Sequence, residues 1–378
     1  MTKKLFYIII VQIGIFFPGC REDYDLPLSS LPNSFLVVEG VLNAGSGPTI
    51  IRLTRTFKLD QNTTIRTENN AQLTVEGKNN SISSLTGTGN GNYISANLNL
   101  STSNEYRLRI KTTDGKEYLS DYVKPKITPV IDSIGWRKNA EAVQVYVNTK
   151  DPSNTTRYYR WEYNETWEIR SYFKPYVIYQ NGSIRDRIFP QEDVSVCWKY
   201  NSSSNILLAN SIRLQADMIN EAPLASIPVA HEKLFVRYSI LVRQYALDPV
   251  AYNFFELMKR NSEDIGSFFS PQPSEIRGNL RCISNPDEYV IGYVTASTIS
   301  EKRIFINAAQ VAPWPDYTVC EETRVPNNRD SINYAVVVAG LMPYYHIVPP
   351  PADIYIFSKP TCVDCTKRGG STLKPVFW

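Results

Sequence analysis

The sequence predicts a mostly β protein: an N-terminal Ig-like β-sandwich, followed by a second β-rich domain with one or two short helices. Three observations predict this class. Short segments alternate between apolar and polar residues with a period of two, as strands buried on one face do. Turn signals rich in glycine, asparagine and aspartate separate these segments at short intervals. Aromatic residues make up 12% of the 378 residues, and such side chains favour pleated sheets.

Residues 1–19 are typical of a secretory signal peptide. Lys3 and Lys4 precede the apolar stretch Leu5–Phe17. As a helix this stretch would span about 20 Å, which is shorter than the ~30 Å hydrocarbon core of a bilayer. We therefore expect a cleaved leader rather than a transmembrane helix.

Cys20 is the predicted lipidation site. The preceding Phe17-Pro18-Gly19 and Cys20 resemble a bacterial lipobox, in which acyl chains such as palmitate anchor the cysteine to a membrane. An ordinary secretory peptide with an incidental cysteine is the alternative. The acidic residues just after it resemble the export signal of Bacteroidota lipoproteins, although a solvated linker would look similar. We expect residues 20–32 to be a lipidated tether, and the protein to lie at the outer membrane facing the cell exterior.

The first domain is predicted over residues 33–126. Its Asp114-Gly115 dipeptide is a two-residue hairpin signal, and Lys124–Pro129 is a plausible linker. The alternating or apolar strand segments are Phe35–Val41, Thr49–Arg55, Gln72–Glu76, Glu105–Lys111 and Lys116–Ser120.

The second domain is predicted over residues 127–378. Val143–Val147 alternates, and Tyr158–Tyr163 with Trp167–Ile169 predicts an aromatic-rich strand pair. Leu234–Val242 predicts a long strand. One helix is predicted near 249–261, because Asp248 is suited to the N-cap and Pro249 to the first helical position.

Charge and composition exclude several function classes. The formal net charge of +3 is too small for an electrostatic nucleic-acid binder. Histidine occurs only at His231 and His346, and each is interpreted as a loop or edge residue. We assign no catalytic residue, no metal site and no cofactor. A carboxylate pair of the glycosidase type stays open, because the chain carries 37 acidic residues.

Five cysteines remain besides Cys20. An oxidising envelope favours disulfides, so at most two bridges form and one thiol is left over. Spacing does not choose the pairing. We expect at least one bridge to pin the C-terminal tail to the second domain. The candidates are Cys197, Cys282, Cys320, Cys362 and Cys365.

Two aromatic clusters are candidate interaction surfaces. Trp161 and Trp167 belong to a dense aromatic run over residues 158–179, and Tyr344 and Tyr345 precede the prolines at 349–351. Exposed aromatic residues dominate interface hot spots, while packing in the core is the alternative for each of them.

Two serines are candidate O-glycosylation sites. Ser133 and Ser331 each lie in an Asp-Ser-aliphatic sequence, which resembles the sequence that Bacteroidota glycosylate. Glycosylation would place both serines at accessible turns.

Several motifs occur along the chain in a fixed order. They include Leu36–Gly40, Tyr106–Leu108, Asp114–Tyr118, Tyr159–Glu162, Gln272–Asn279, Gly292-Tyr293, Cys362–Cys365 and Phe377-Trp378. Their order and spacing resemble a Bacteroidota lipoprotein family catalogued as domain of unknown function 4249. The family resemblance implies outer-membrane lipoproteins that accompany a TonB-dependent transporter barrel, similar to the accessory lipoproteins of starch-utilisation systems. It implies no catalytic residues.

The sequence therefore leads us to expect a non-enzymatic surface lipoprotein that acts as accessory or ligand-capture partner of a TonB-dependent transporter. A stand-alone glycan- or protein-binding adhesin is the alternative. A surface hydrolase is a third hypothesis.

Overall fold

The computed structural model describes residues 34–56, 65–263, 276–311, 319–348 and 353–378. The predicted signal peptide, the tether and Cys20 lie outside the described residues. Within these ranges, no helix is long and apolar enough to cross a membrane.

Twenty-four strands carry the fold of the described residues. The first twelve are β1 Leu36–Asn43, β2 Thr49–Arg55, β3 Arg66–Thr67, β4 Gln72–Gly77, β5 Ile82–Gly89, β6 Asn92–Ser95, β7 Tyr106–Lys111, β8 Glu117–Ser120, β9 Ile131–Lys138, β10 Ala142–Asp151, β11 Tyr158–Arg170 and β12 Val177–Gln180. The others are β13 Ser183–Asp186, β14 Val196–Ser202, β15 Leu207–Asn210, β16 Asp217–Pro228, β17 Arg237–Leu247, β18 Leu280–Cys282, β19 Val290–Gly292, β20 Thr295–Ser297, β21 Ile299–Asn307, β22 Thr323–Pro326, β23 Met342–Ile347 and β24 Ile354–Ser358.

Helices are few and mostly short, which together with the many strands confirms the mostly β class. The Ig-like arrangement itself stays a prediction. The α-helices are α1 Pro249–Glu263, α2 Ala308–Val311, α3 Arg329–Asn333 and α4 Pro360–Val363. Shorter helical turns are the 3₁₀ turns Glu232–Leu234 and Cys365–Arg368 and the π turn Tyr334–Val338.

The N-terminal unit is one continuous strand system in the order β18-β8-β7-β4-β5-β6-β2-β1-β19. β5 pairs with β4 over its first half and with β6 over its second half, so the strands enclose a single core. Three of its strands come from residues 280–297, far beyond the predicted segment 33–126. β19 and β20 both run parallel to β1, and β18 pairs with β8.

The middle sandwich packs two sheets face to face. One sheet has the order β16-β10-β9, and the other has the order β14-β11-β17-β21, with β15 also paired to β11. Their facing side chains form an aromatic-rich core, which includes Tyr159, Trp161, Trp167 and Tyr238.

A third unit contains the hairpin β12-β13 and the sheet β22-β24-β23. The disulfide Cys320–Cys362 lies within this unit, and the disulfide Cys197–Cys365 joins the C-terminal tail to β14 of the middle sandwich. Cys282 is free and buried. The predicted bridge between the tail and the second domain is therefore present.

Helix α1 forms where the sequence predicts it. The Asp248 carboxylate accepts a hydrogen bond from the Ala251 backbone N–H at 2.8 Å, which is the geometry of an N-cap. Tyr252, Phe254 and Phe255 are buried on one face, and this face packs against Tyr293 near the N-terminal unit.

The predicted strand pair at 158–169 is wrong, because β11 is one continuous strand. The polar residues midway along this strand find hydrogen-bond partners in the folded structure, so the strand continues through them without a turn. Glu165 is 2% exposed, and it accepts hydrogen bonds from Lys233 and Tyr238, both at 2.7 Å. The predicted strand at 234–242 is also displaced, since β17 starts at Arg237.

Candidate functional site: a cleft between two sheets

A cleft lies between β1 and the outer face of the middle sandwich. It has two adjoining lobes of about 710 Å³ each. Tyr159 and Trp161 of β11 face the core. Successive side chains of a strand point to opposite faces, so the even-numbered residues of β11 face the cleft. The residues common to both lobes are Glu39, Gly40, Arg160, Glu162, Asn164 and Arg243.

The two lobes differ in chemistry. The first lobe is walled by the hydroxyl- and amide-rich segment 202–205 and by Phe255, Met258 and Tyr293. The second lobe is lined by polar groups of the N-terminal unit, Asn43 and Arg52, and by Glu301 of β21.

Arg160 is held rigidly at the centre of the cleft. Its guanidinium lies 4.8 Å from the ring centroid of Tyr245 and 4.6 Å from that of Phe255, which are cation–π distances. It also forms an ion pair with Glu162 at 3.0 Å. The two rings and the carboxylate together hold the guanidinium at one position in the cleft.

A polar network continues from Arg160 across the floor. The Tyr245 hydroxyl donates to Glu162 at 2.9 Å, and burial followed by the charge of Glu162 raises the pKa of Tyr245. Arg243 donates to Glu301 at 2.6 Å and to the side-chain oxygen of Asn164. The floor thus alternates donors and acceptors.

Glu39 and Arg52 add one acid and one base to the second lobe. They are directly opposite each other on β1 and β2. Within the described part of the chain, neither forms a salt bridge. Together with Arg160, Arg243, Glu162, Glu301 and Glu263, they give the cleft lining three arginines and four glutamates. Such a surface suits a hydrophilic ligand that both donates and accepts hydrogen bonds.

The histidines lie away from this cleft. His231 caps a 3₁₀ turn, with its Nδ1 accepting from the Lys233 backbone N–H at 3.2 Å, and burial followed by the Lys233 charge lowers its pKa. His346 lies 2.8 Å from an Asp353 oxygen and stacks on Tyr355 at 4.1 Å. Among the described residues, no cluster of three metal-ligating side chains occurs.

Three of the four predicted interaction aromatics are in the core. Trp161, Trp167 and Tyr344 are 1%, 7% and 8% exposed, so the core-packing alternative holds for them. The indole N–H of Trp161 donates a hydrogen bond to the Gln244 side chain at 2.8 Å. Tyr345 is 46% exposed and stays a candidate, while the prolines at 349–351 lie outside the described residues.

Neither predicted glycosylation serine is at a turn. Ser133 is exposed in the middle of β9, where its hydroxyl accepts from Asn148 at 2.9 Å. Ser331 is half-buried in α3, and its backbone N–H donates to the Asn328 cap at 2.9 Å. The expected turn position is wrong for both, and glycosylation itself stays a prediction.

Sequence reasoning missed the cleft residues, although one signal for them existed. Arg160, Glu162 and Asn164 alternate with Tyr159 and Trp161 along one strand. This pattern predicts a polar face on the outside of an aromatic sheet. What covers that face depends on β1, more than a hundred residues earlier.

The sequence profile of one family, described as Domain of unknown function (DUF4249), matches residues 21–303. The chain belongs to this family. The DUF4249 match spans the whole cleft, from Val38 of the first lobe to Glu301 of the second, and it confirms the resemblance for the motifs from Leu36 to Tyr293. β22–β24 of the third unit lie beyond it. No curated protein matches the sequence.

Proposed function

We propose that this DUF4249 protein is a non-enzymatic outer-membrane surface lipoprotein that captures a hydrophilic ligand for a TonB-dependent transporter. The cleft between β1 and β11 carries the capture role. Cys20 supplies the anchor, and the transporter is the partner that the family resemblance implies.

The construction of the cleft supports binding without gross rearrangement. The chain passes between the N-terminal unit and the middle sandwich at residues 126–128 and again at residues 296–298, and these two segments are hydrogen-bonded to each other. Lys126 donates its backbone N–H to Ala296 at 3.0 Å, and Thr128 donates to Thr298 Oγ1 at 2.8 Å. Ligand sites are commonly preformed clefts with a few fixed polar groups.

The chemistry of the lining favours binding over catalysis. Four of its charged side chains pair with one another or with tyrosine and asparagine side chains, namely Arg160, Glu162, Arg243 and Glu301. These groups orient a ligand by hydrogen bonds, and both histidines are remote from them. We therefore propose that the cleft holds its ligand and releases it unchanged.

The test is a mild-detergent pull-down of the epitope-tagged protein from outer membranes of its own host, read by mass spectrometry. Near-equal recovery of one TonB-dependent barrel supports the accessory role. A Cys20→Ser variant should fail to reach the membrane, which tests the anchor separately. Recovery of the protein alone, with nutrient uptake unchanged after gene deletion, would contradict the proposal and favour the adhesin alternative.

The capture role has its own test in uptake by the host. Arg160→Gln combined with Arg243→Gln should reduce transport while the protein still reaches the membrane. Arg324→Gln is the matched control, because Arg324 is an exposed arginine of β22 outside the cleft. Equal uptake by the two variants would contradict capture in this cleft.

A further inference from the structure

We infer that the cleft extends beyond Glu301 into a subsite for one acidic group of the ligand, a carboxylate or a phosphate, bound between Arg243 and Arg303. This inference rests on the proposed capture role and specifies its ligand class: a hydrophilic molecule that carries an anionic group.

Strand register places the two arginines side by side. In the β17–β21 pair, Arg243 is opposite Glu301, and Leu241 is opposite Arg303. Arg303 follows Glu301 by two residues, so both project from the same face. Arg303 is then the diagonal cross-strand neighbour of Arg243, and Arg243 lines the second lobe.

The charge of Arg303 is not neutralised locally. Its Nη1 donates to the neutral Ser239 hydroxyl at 3.0 Å, and its guanidinium lies 3.5 Å from the Phe377 ring centroid. In the described ranges, no carboxylate forms a salt bridge with it. Burial lowers the pKa of Arg303, and the charge of Arg243 lowers it further, although Glu301 opposes this. An anion between the two cations would remove their repulsion.

Both guanidinium groups are pre-oriented for such an anion. Phe377 and Ser239 position Arg303. Glu301 and Asn164 engage the Nε and Nη1 atoms of Arg243, while Nη2 makes no hydrogen bond to a described residue. Two planar forks match the oxygens of a carboxylate or a phosphate, and their rigidity limits the entropy lost on binding.

The test is isothermal titration calorimetry on the full chain in detergent at constant ionic strength. The probes are citrate, inorganic phosphate and, as the uncharged control, glycerol. We expect saturable binding of at least one anion. Arg303→Gln should weaken it about 10- to 100-fold, the loss of one charge-assisted hydrogen-bonding group. Arg243→Gln should weaken it similarly, and Arg303→Lys by less, because lysine keeps the charge without the fork. Arg324→Gln should bind as the wild type does.

The outcomes separate the sources and the hypotheses. Binding of citrate alone assigns a carboxylate ligand, binding of phosphate alone assigns a phosphorylated one, and binding of both assigns a general anion site. Equal binding by wild type and both glutamine variants, or no saturable binding, overturns the inference. If the wild-type pull-down still recovers a barrel in that case, the proposed function stands and only the ligand class is wrong.

Discussion

Replacing Cys197 and Cys365 together with serine should lower the free energy of unfolding by at least about 5 kcal/mol. Both side chains are fully buried in an apolar core, so the desolvation of two serine hydroxyls adds to the loss of the cross-link. The bond joins residues 168 positions apart. In the chain-entropy description, a loop of that length removes roughly 17 cal/mol/K from the unfolded chain, or about 5 kcal/mol at 25 °C. The second bridge shortens this loop only modestly, because it joins residues 42 positions apart.

The loss should appear first as release of the C-terminal tail. Without the bridge, non-covalent contacts alone would hold the tail. Arg368 donates to the Arg170 carbonyl at 3.0 Å and to Glu232 at 3.0 Å. Ser371 and Trp198 still exchange two backbone hydrogen bonds. A Cβ on Gly370 would lie 2.5 Å from the Cys197 Cβ, so the tail fits against β14 only in this close packing.

The assay is urea unfolding followed by tryptophan fluorescence, with limited proteolysis of the tail in parallel. Cys282→Ala is the matched control, because that buried thiol forms no bridge and should cost about 1 kcal/mol. Wild type in reductant should approach the double serine variant. The reasoning is refuted if oxidised wild type and the double variant unfold at the same urea concentration.

Three further changes test the interior by the same urea assay. Glu165→Gln should lower the free energy of unfolding by about 3 kcal/mol, because it removes a buried carboxylate that pairs with the half-buried Lys233. Glu162→Gln, where the carboxylate is 45% exposed, should lower it by about 1 kcal/mol. Equal losses would contradict this. Burial raises the pKa of Asp151, but hydrogen bonds from the turn at 153–156 outweigh it and hold this pKa well below its usual value. The Asp151 carboxylate therefore stabilises the fold above the unfolded pKa of ~3.9, and this stabilisation is lost on acidification. The difference in free energy of unfolding between wild type and Asp151→Asn should narrow by about 1 kcal/mol between pH 6 and pH 3. A difference that widens over this range would contradict the predicted sign. Gly278→Ala should lower the free energy of unfolding by about 3 kcal/mol, because a Cβ there would lie 1.6 Å from a carbonyl oxygen of β19. Gly182→Ala should lower it by about 1 kcal/mol, because Gly182 has a φ of +82° but open space around it. A larger loss for Gly182→Ala than for Gly278→Ala would contradict the steric argument.

Local patterns predicted the elements well where the physical cause is local. The Asp248 cap and the period of α1 are properties of consecutive residues, and the structure has both. The alternation at Thr49–Arg55 likewise becomes β2. The prediction failed at 158–169, where a polar stretch inside an aromatic segment suggested a break. Partners from β17 and the 3₁₀ turn satisfy Glu165 there, and no local pattern shows them.

The candidate site was predictable only in its parts. Alternation marks Arg160 and Glu162 as the polar side of a strand, because neighbouring side chains point in opposite directions. Their meeting with Glu39 requires β19 and β20 to run parallel to β1, more than 240 residues later in the chain. Whether an aromatic residue is exposed also depends on distant parts of the chain. The facing sheet of the middle sandwich buries Trp161, whereas Tyr345 is left exposed.

The sequence by itself determined the mostly β class, the helix at Asp248 and membership of the DUF4249 family. Each of these depends on composition, local periodicity or motif order. Only the tertiary structure decided which cysteines pair, which aromatic residues are buried, and that Arg243 and Arg303 lie side by side next to the cleft. These are contacts between residues distant in sequence. Strand pairing and sheet packing bring them together, and local patterns do not encode the register or the partner.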